Sequence, residues 1–254
     1  MLLEGKRGLV LNVTNKNSIG WAVAEAAREH GATVGVGAQN ERMMDSVLKL
    51  IGEEERYVPF QIDFGVDGDY ERLREQVVER FGTVDFVVHS AAYAPREALE
   101  GRFIDTKRED FALALDVSAY SLVKLCHALE PVLAENASIM AMSYLGSTRT
   151  VGTYNVMGVA KAALESAVRY LAVDLGPKGV RVNTVSPGPI NTVAARGVKG
   201  LSHMIEYVEE RAPLRRAATQ TDVAGAAVYL MSDLSVNVSG QILFVDAGYN
   251  IVGI

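Results

Sequence analysis

Short, continuous apolar runs alternate with segments of helical period along almost the whole chain, and this alternation limits the fold more than any other feature. The apolar runs fall at residues 8–13 (GLVLNV), 33–38 (TVGVGA), 57–62, 85–90 (DFVVHS), 138–143, 180–185 (VRVNTV) and 242–245. Between them, helical patterning predicts helices over 18–30, 40–51, 67–81, 109–133, a long segment ending at Leu175, and 221–231. The segment 191–212 is helical only in part. Most of the strand runs are apolar throughout and do not alternate with polar residues, as expected when both faces of a sheet are covered. Strand and helix in turn, with both faces covered, predict a parallel, doubly wound α/β sheet of about seven strands. No linker, repeat or low-complexity stretch divides residues 1–254, so a single domain is expected.

In such a Rossmann-type sheet, ligands bind beyond the carboxyl ends of the strands. The unusual residues of this chain stand at those ends: Asn12 to Ser18, Gln39, Asp63, Ser90 to Ala94, Ser143 with Tyr144, and Pro187 to Thr192. Six strand ends on one edge make a groove long enough for a dinucleotide. The first turn, from Asn12 to Gly20, has no GxGxxG pattern and Gly20 is its only glycine. Asparagine visits left-handed backbone most readily after glycine, so Asn12, Asn15 and Asn17 can shape a tight loop. Ser18 can cap the next helix and present its free N–H groups to phosphate, or serve only as an ordinary cap. Gln39 stands where an acidic residue commonly holds the adenosine ribose. Being neutral, it forces no choice between NAD and NADP, and Arg42 within one turn leaves NADP open.

The segment from Ser143 to Lys161 carries the chemistry. It holds Tyr144, Tyr154 and Lys161 at spacings of ten and seven. On a helix, residues seven apart lie roughly 20° short of two full turns, so Tyr154 and Lys161 face one cleft. A phenol that donates a proton beside an ammonium suits a reaction that builds negative charge on a carbonyl oxygen. The same spacing also fits a half-buried ring and a solvated amine.

The formal charge of −6 argues against broad attraction to nucleic acid or anionic membrane. The lone Cys126 allows no internal disulfide, and no run resembles a signal peptide or approaches the ~18 apolar residues of a membrane span. A cytoplasmic protein is expected. His30, His89, His127 and His203 show no metal-ligand spacing, so no metal is expected.

With these pieces in place the chain resembles the divergent short-chain dehydrogenases that act as bacterial enoyl-[acyl-carrier-protein] reductases. The most specific match is Tyr144, Tyr154 and Lys161 within SYLGSTRTVGTYNVMGVAKAALE; the Tyr-x-x-x-Lys spacing of ordinary short-chain dehydrogenases is absent. Supporting residues are Ser18-Ile19, Gln39-Asn40, Asp63, His89-Ser90 leading to Tyr93-Ala94-Pro95, Gly188-Pro189-Ile190 with Thr192, Pro213 to Arg216, and Val245-Asp246 with Gly248. The resemblance implies reduction of trans-2-enoyl thioesters on acyl carrier protein, in type II fatty acid synthesis, by a homotetramer using NADH in preference to NADPH. It implies that Tyr154 stabilises an enolate, Lys161 holds the nicotinamide ribose, and Tyr144 lines the acyl site. Asn12, Ser18 and Ile19 would lie at the pyrophosphate, Gln39 near the adenosine ribose, Asp63 and Phe64 beside the adenine, and Ala91 near the cofactor. Ile190, Asn191, Thr192, Val193 and Ala194 would meet the nicotinamide and its phosphate, and Ala94 the substrate.

The chain departs from the family at Asn12, where glycine is usual, at the small Ala91-Ala92 pair, at Pro187, and in a lid whose main basic residue is Lys199. The lid is expected over about 192–210, after the sixth strand, with Val193, Val198, Leu201, Met204 and Ile205 as its apolar residues. Two other readings stay open: a short-chain reductase of another activated enone or carbonyl in secondary metabolism, and a non-catalytic relative that binds dinucleotide.

Overall fold

The computed structural model of the protein describes residues 1–192, 195 and 200–253. The seven apolar runs become strands β1 (Arg7–Leu11), β2 (Thr33–Ala38), β3 (Tyr57–Gln61), β4 (Val84–His89), β5 (Leu133–Met142), β6 (Arg181–Pro187) and β7 (Ile242–Val245). All pair in parallel, in the order β3-β2-β1-β4-β5-β6-β7. Strand order reverses between β1 and β4, which opens a crevice at their carboxyl ends.

Successive strand residues point to opposite faces, and here both faces are dry. Leu9, Leu11, Val87, Ile139 and Ala141 join one core with helices α3 (Asp67–Arg80), α6 (Ser121–Leu129) and α7 (Asn155–Leu175). Val10, Val88, Met140 and Met142 join the other, with α1 (Ile19–Glu29), α2 (Glu41–Ile51) and α9 (Gln220–Met231). This two-sided burial is why the strands carry continuous apolar runs.

The sequence reading differs from the structure between 108 and 142. After a short helix, α4 (Arg96–Leu99), and in place of one helix over 109–133, α5 (Arg108–Leu115) passes through a π-helical turn, Asp116–Tyr120, into α6. The strand expected from 138 begins at Leu133. Leu133 pairs with Val84 and Ser138 with Phe86, so β5 bulges between them, and Asn136 takes a φ of 63°. The exposed Glu135 and Asn136 in that bulge interrupt the apolar pattern and conceal the strand's start. The helical run Arg108–Val132 is, against expectation, long and apolar enough to cross a membrane by composition. Leu122, Leu125, Cys126 and Leu129 on it are buried against α3 and α7, as in the core helix of a globular protein.

Candidate active site

At the phosphate end, Asn12 has a φ of 66°, and its Nδ2 donates to Ser90 O at 3.1 Å. The side chain thus ties the end of β1 to the end of β4 while the backbone makes the left-handed turn. Asn15 Oδ1 accepts from Asn17 N at 2.8 Å. Ser18 caps α1, its Oγ accepting from Trp21 N at 3.1 Å and donating to Asn15 O at 2.8 Å. Ile19 then opens the helix. Gln39 Nε2 donates to Asp63 Oδ2 at 3.2 Å, and Asp63 Oδ1 accepts from Gly65 N at 2.9 Å, so the ends of β2 and β3 are linked. Phe64 turns its ring into the core, 5.0 Å from the His89 ring, and its carbonyl accepts from Tyr70 Oη at 2.8 Å.

Ala91 and Ile190 are buried, Asn191 is exposed, and Thr192 Oγ1 accepts from Ala195 N at 3.1 Å. Val193 and Ala194 lie outside the described residues, as do Val198 and Lys199. The buried hydroxyls Ser90 Oγ and Ser186 Oγ, at the ends of β4 and β6, have no hydrogen-bond partner among the described residues. Free buried donors, an open helix N-terminus and a left-handed first turn fit a dinucleotide along this edge.

Where the tyrosines stand, Ser143 directly follows β5 and the 3-10 turn Leu145–Ser147 comes next. Tyr154 directly precedes α7, between two left-handed residues, Thr153 (φ 65°) and Asn155 (φ 38°). The rings of Tyr144 and Tyr154 meet edge to face, centroids 4.9 Å apart at 66°. Burial pushes the Tyr144 phenol up to about 12, and burial then the neighbouring Tyr144 push Tyr154 up as well. Both phenols therefore remain protonated donors at neutral pH. Lys161 is buried two turns into α7, with Nζ donating to Met142 O at 2.6 Å. Burial pushes it down to about 8, against the opposing pull of Glu165. His89 is wholly buried, with Nε2 2.8 Å from Ser121 Oγ in the helix just after the π turn. Burial, then the charge of Lys161, pushes it down to about 3, so the imidazole is neutral.

Tyr144 also forms one wall of a cavity of about 360 Å³, together with Pro189, His203, Met204, Tyr207 and Tyr249. His203, Met204 and Tyr207 come from α8 (Leu201–Arg211), which covers one side, and Tyr207 meets Tyr249 edge on at 6.3 Å. Tyr154 lines a second, more open hollow of about 450 Å³. Ala94 and Tyr154 both pack against a small cluster of Ala98, Ala114, Val156 and Met157.

Sequence reasoning did not single out Gly146, Gly158, Glu165 or Tyr249. A Cβ on Gly158 would stand 2.7 Å from Gly146 O, so α7 and the tyrosine turn touch backbone to backbone. Glu165 is buried, accepting from Ser143 Oγ and, at 2.7 Å, from Ser147 Oγ. Its place one turn beyond Lys161 was the available signal.

The profile of the family described as "Enoyl-(Acyl carrier protein) reductase" matches residues 13–250. The chain is 40% identical over 252 residues to enoyl-[acyl-carrier-protein] reductase [NADH] FabI of Rickettsia typhi, covering 99% of this chain and 97% of that one. The Bacillus cereus enoyl-acyl carrier protein reductase, solved with NADP+ and indole naphthyridinone, superposes with a TM-score of 0.97 at 41% identity, over 100% of this chain and 99% of that one. The Anaplasma phagocytophilum reductase, solved with NAD, gives 0.94 at 36% identity, over 100% and 95%.

Proposed function

The chain belongs to the enoyl-[acyl-carrier-protein] reductase family, and from that premise we propose that it reduces the carbon–carbon double bond of trans-2-enoyl thioesters on acyl carrier protein, with NADH, in type II fatty acid synthesis. The observation that carries this reading is the half-buried Tyr144–Tyr154 ring pair ahead of a helix whose Lys161 is buried and tied to β5.

Reduced nicotinamide, when bound, supplies a hydride to the β-carbon. The chain's residues manage the charge that then appears on the thioester oxygen. Tyr154, a half-buried phenol that stays protonated at neutral pH, donates a hydrogen bond to that oxygen, and one such preorganised donor is worth about 3 kcal/mol. Tyr144 stiffens the Tyr154 ring and lines the acyl cavity. Lys161, held at Met142 O, presents its remaining N–H donors to the ribose. Ser18, Ile19 and Asn12 would hold the pyrophosphate, Gln39 and Asp63 the adenosine ribose and adenine, with the Phe64 main chain beside them. Ala91, Ile190, Asn191 and Thr192 would hold the nicotinamide half, with Val193 and Ala194 completing it. Ala94, on the same small cluster as Tyr154, would meet the substrate. The segment 192–210 would act as a lid, its α8 residues His203, Met204 and Tyr207 closing over the acyl chain and excluding water.

A homotetramer is part of the proposal. Tyr170 and Val173 on α7 are exposed by 72% and 73%, and Leu113 and Tyr120 on the adjoining helical run are also exposed, which suits burial against other copies. A cytoplasmic location fits this pathway and the unpaired thiol of Cys126.

The test follows the absorbance of reduced nicotinamide, with NADH or NADPH, against a medium-chain enoyl thioester and simple ketones. Rapid loss of NADH with the thioester is expected. A folded protein that binds NADH yet turns over ketones only, or nothing, would overturn the reading.

A further inference from the structure

One face of α7 grips the tyrosine segment at successive turns. Gly158 lets the turn approach through Gly146 O, Lys161 Nζ holds Met142 O, and Glu165 accepts from both Ser143 Oγ and Ser147 Oγ. Ser143 and Ser147 bracket Tyr144 and Gly146, the two residues packed on the Tyr154 ring. A single buried carboxylate therefore ties down both ends of the segment that carries one tyrosine and supports the other.

Glu165 also matters for charge. It forms no salt bridge with Lys161, but lies on the same helix one turn away, and it is the one group among the described residues whose field favours the ammonium. The other titratable groups at the site do not replace it. His89, facing from β4, is neutral, and Tyr144 and Tyr154 are neutral phenols.

We propose that Glu165 is a positioning residue with two tasks: it clamps the Ser143–Ser147 segment so that Tyr144 and Tyr154 hold their geometry, and it keeps Lys161 an ammonium for the cofactor. The inference rests on the reading of Tyr154 and Lys161 given above. A carboxylate serves both tasks because it accepts two hydroxyl hydrogen bonds and carries charge. The neutral amide of glutamine retains only the first.

The experiment compares parent, Glu165→Gln, Glu165→Asp and the Ser143→Ala/Ser147→Ala double variant. NADH binding is followed by fluorescence without substrate, and kcat and KM by turnover, both across pH. Glu165→Gln is expected to retain the fold by circular dichroism while its high-pH loss of NADH binding moves to lower pH. The double variant is expected to lose at least tenfold in kcat with its pH profile in place. Glu165→Asp is expected to restore the profile but not the full kcat. Superimposable binding profiles for parent and Glu165→Gln would overturn the charge task. An unchanged kcat in the double variant would overturn the clamp. If the parent turned over no enoyl thioester, the functional reading would fail, while the NADH-binding profiles would still decide the role of Glu165 toward Lys161.

Discussion

Gly146 lies directly against the ring of Tyr154: a methyl group on it would stand 2.5 Å from Cδ1 and 3.0 Å from Cε1. No side chain fits there unless the ring moves. Gly146→Ala is expected to lower kcat at least tenfold with a folded protein, because the phenol leaves its place. Gly158→Ala meets a backbone carbonyl instead, so its main effect is expected on stability, a loss of about 1–3 kcal/mol. Turnover and thermal denaturation of the two variants, side by side, check this division.

Tyr154→Phe removes one oxygen from a ring held by Tyr144 and Gly146. The fold is expected to survive and kcat to fall about 100–1000-fold, the usual loss for one oxyanion donor. Tyr144→Phe keeps the edge-to-face contact and is expected to lose much less. Steady-state kinetics with one enoyl thioester decide, and near-parental activity in Tyr154→Phe would remove it as the donor.

Lys161 gives stability a pH dependence with a definite sign. Its pKa of about 8 in the folded protein lies below the ordinary 10.5, so between these values the unfolded chain binds more protons. Stability therefore rises with pH across that window. Lys161→Met is expected to flatten the rise in urea denaturation. Activity moves the opposite way, falling above about pH 8 as the ammonium is lost. The phenols of Tyr144 and Tyr154, raised by burial, oppose the stability gain above about pH 10, where unfolded tyrosines ionise first.

Asn12→Gly keeps the left-handed turn and loses the Nδ2 bond to Ser90 O, so NADH affinity is expected to change little. Asn12→Val puts a β-branched residue at a φ of 66° and is expected to cost about 1–3 kcal/mol. Denaturation midpoints and NADH titrations of the pair would show whether the turn or the side chain matters more.

Both dry faces of the sheet were legible in its apolar runs, because two-sided burial writes itself into consecutive residues. The left-handed turn at Asn12 and the cap at Ser18 were legible too, since few residue types serve those positions. The bulge in β5 and the π turn at Asp116–Tyr120 were not. Each is an irregularity within an element, and Glu135 and Asn136 look like a loop in sequence although they lie within a strand. Glu165 passed as one more residue of a long helix, because its partners Ser143 and Ser147 are set by how the turn folds back. The cavity wall from Tyr249 was hidden for the same reason, as its contact with Tyr207 joins distant segments.

The reversal of strand order at β1 and β4 has a kinetic side. Asn12 and Ser90, joined at that seam, are 78 residues apart, and contacts so distant in sequence form late because a large loop must close first. The loop proposed to hold the dinucleotide and the strand end facing it become neighbours only when this seam closes. During refolding, competence to bind NADH should therefore appear after most helix has formed, as a late slow phase and not with the initial collapse.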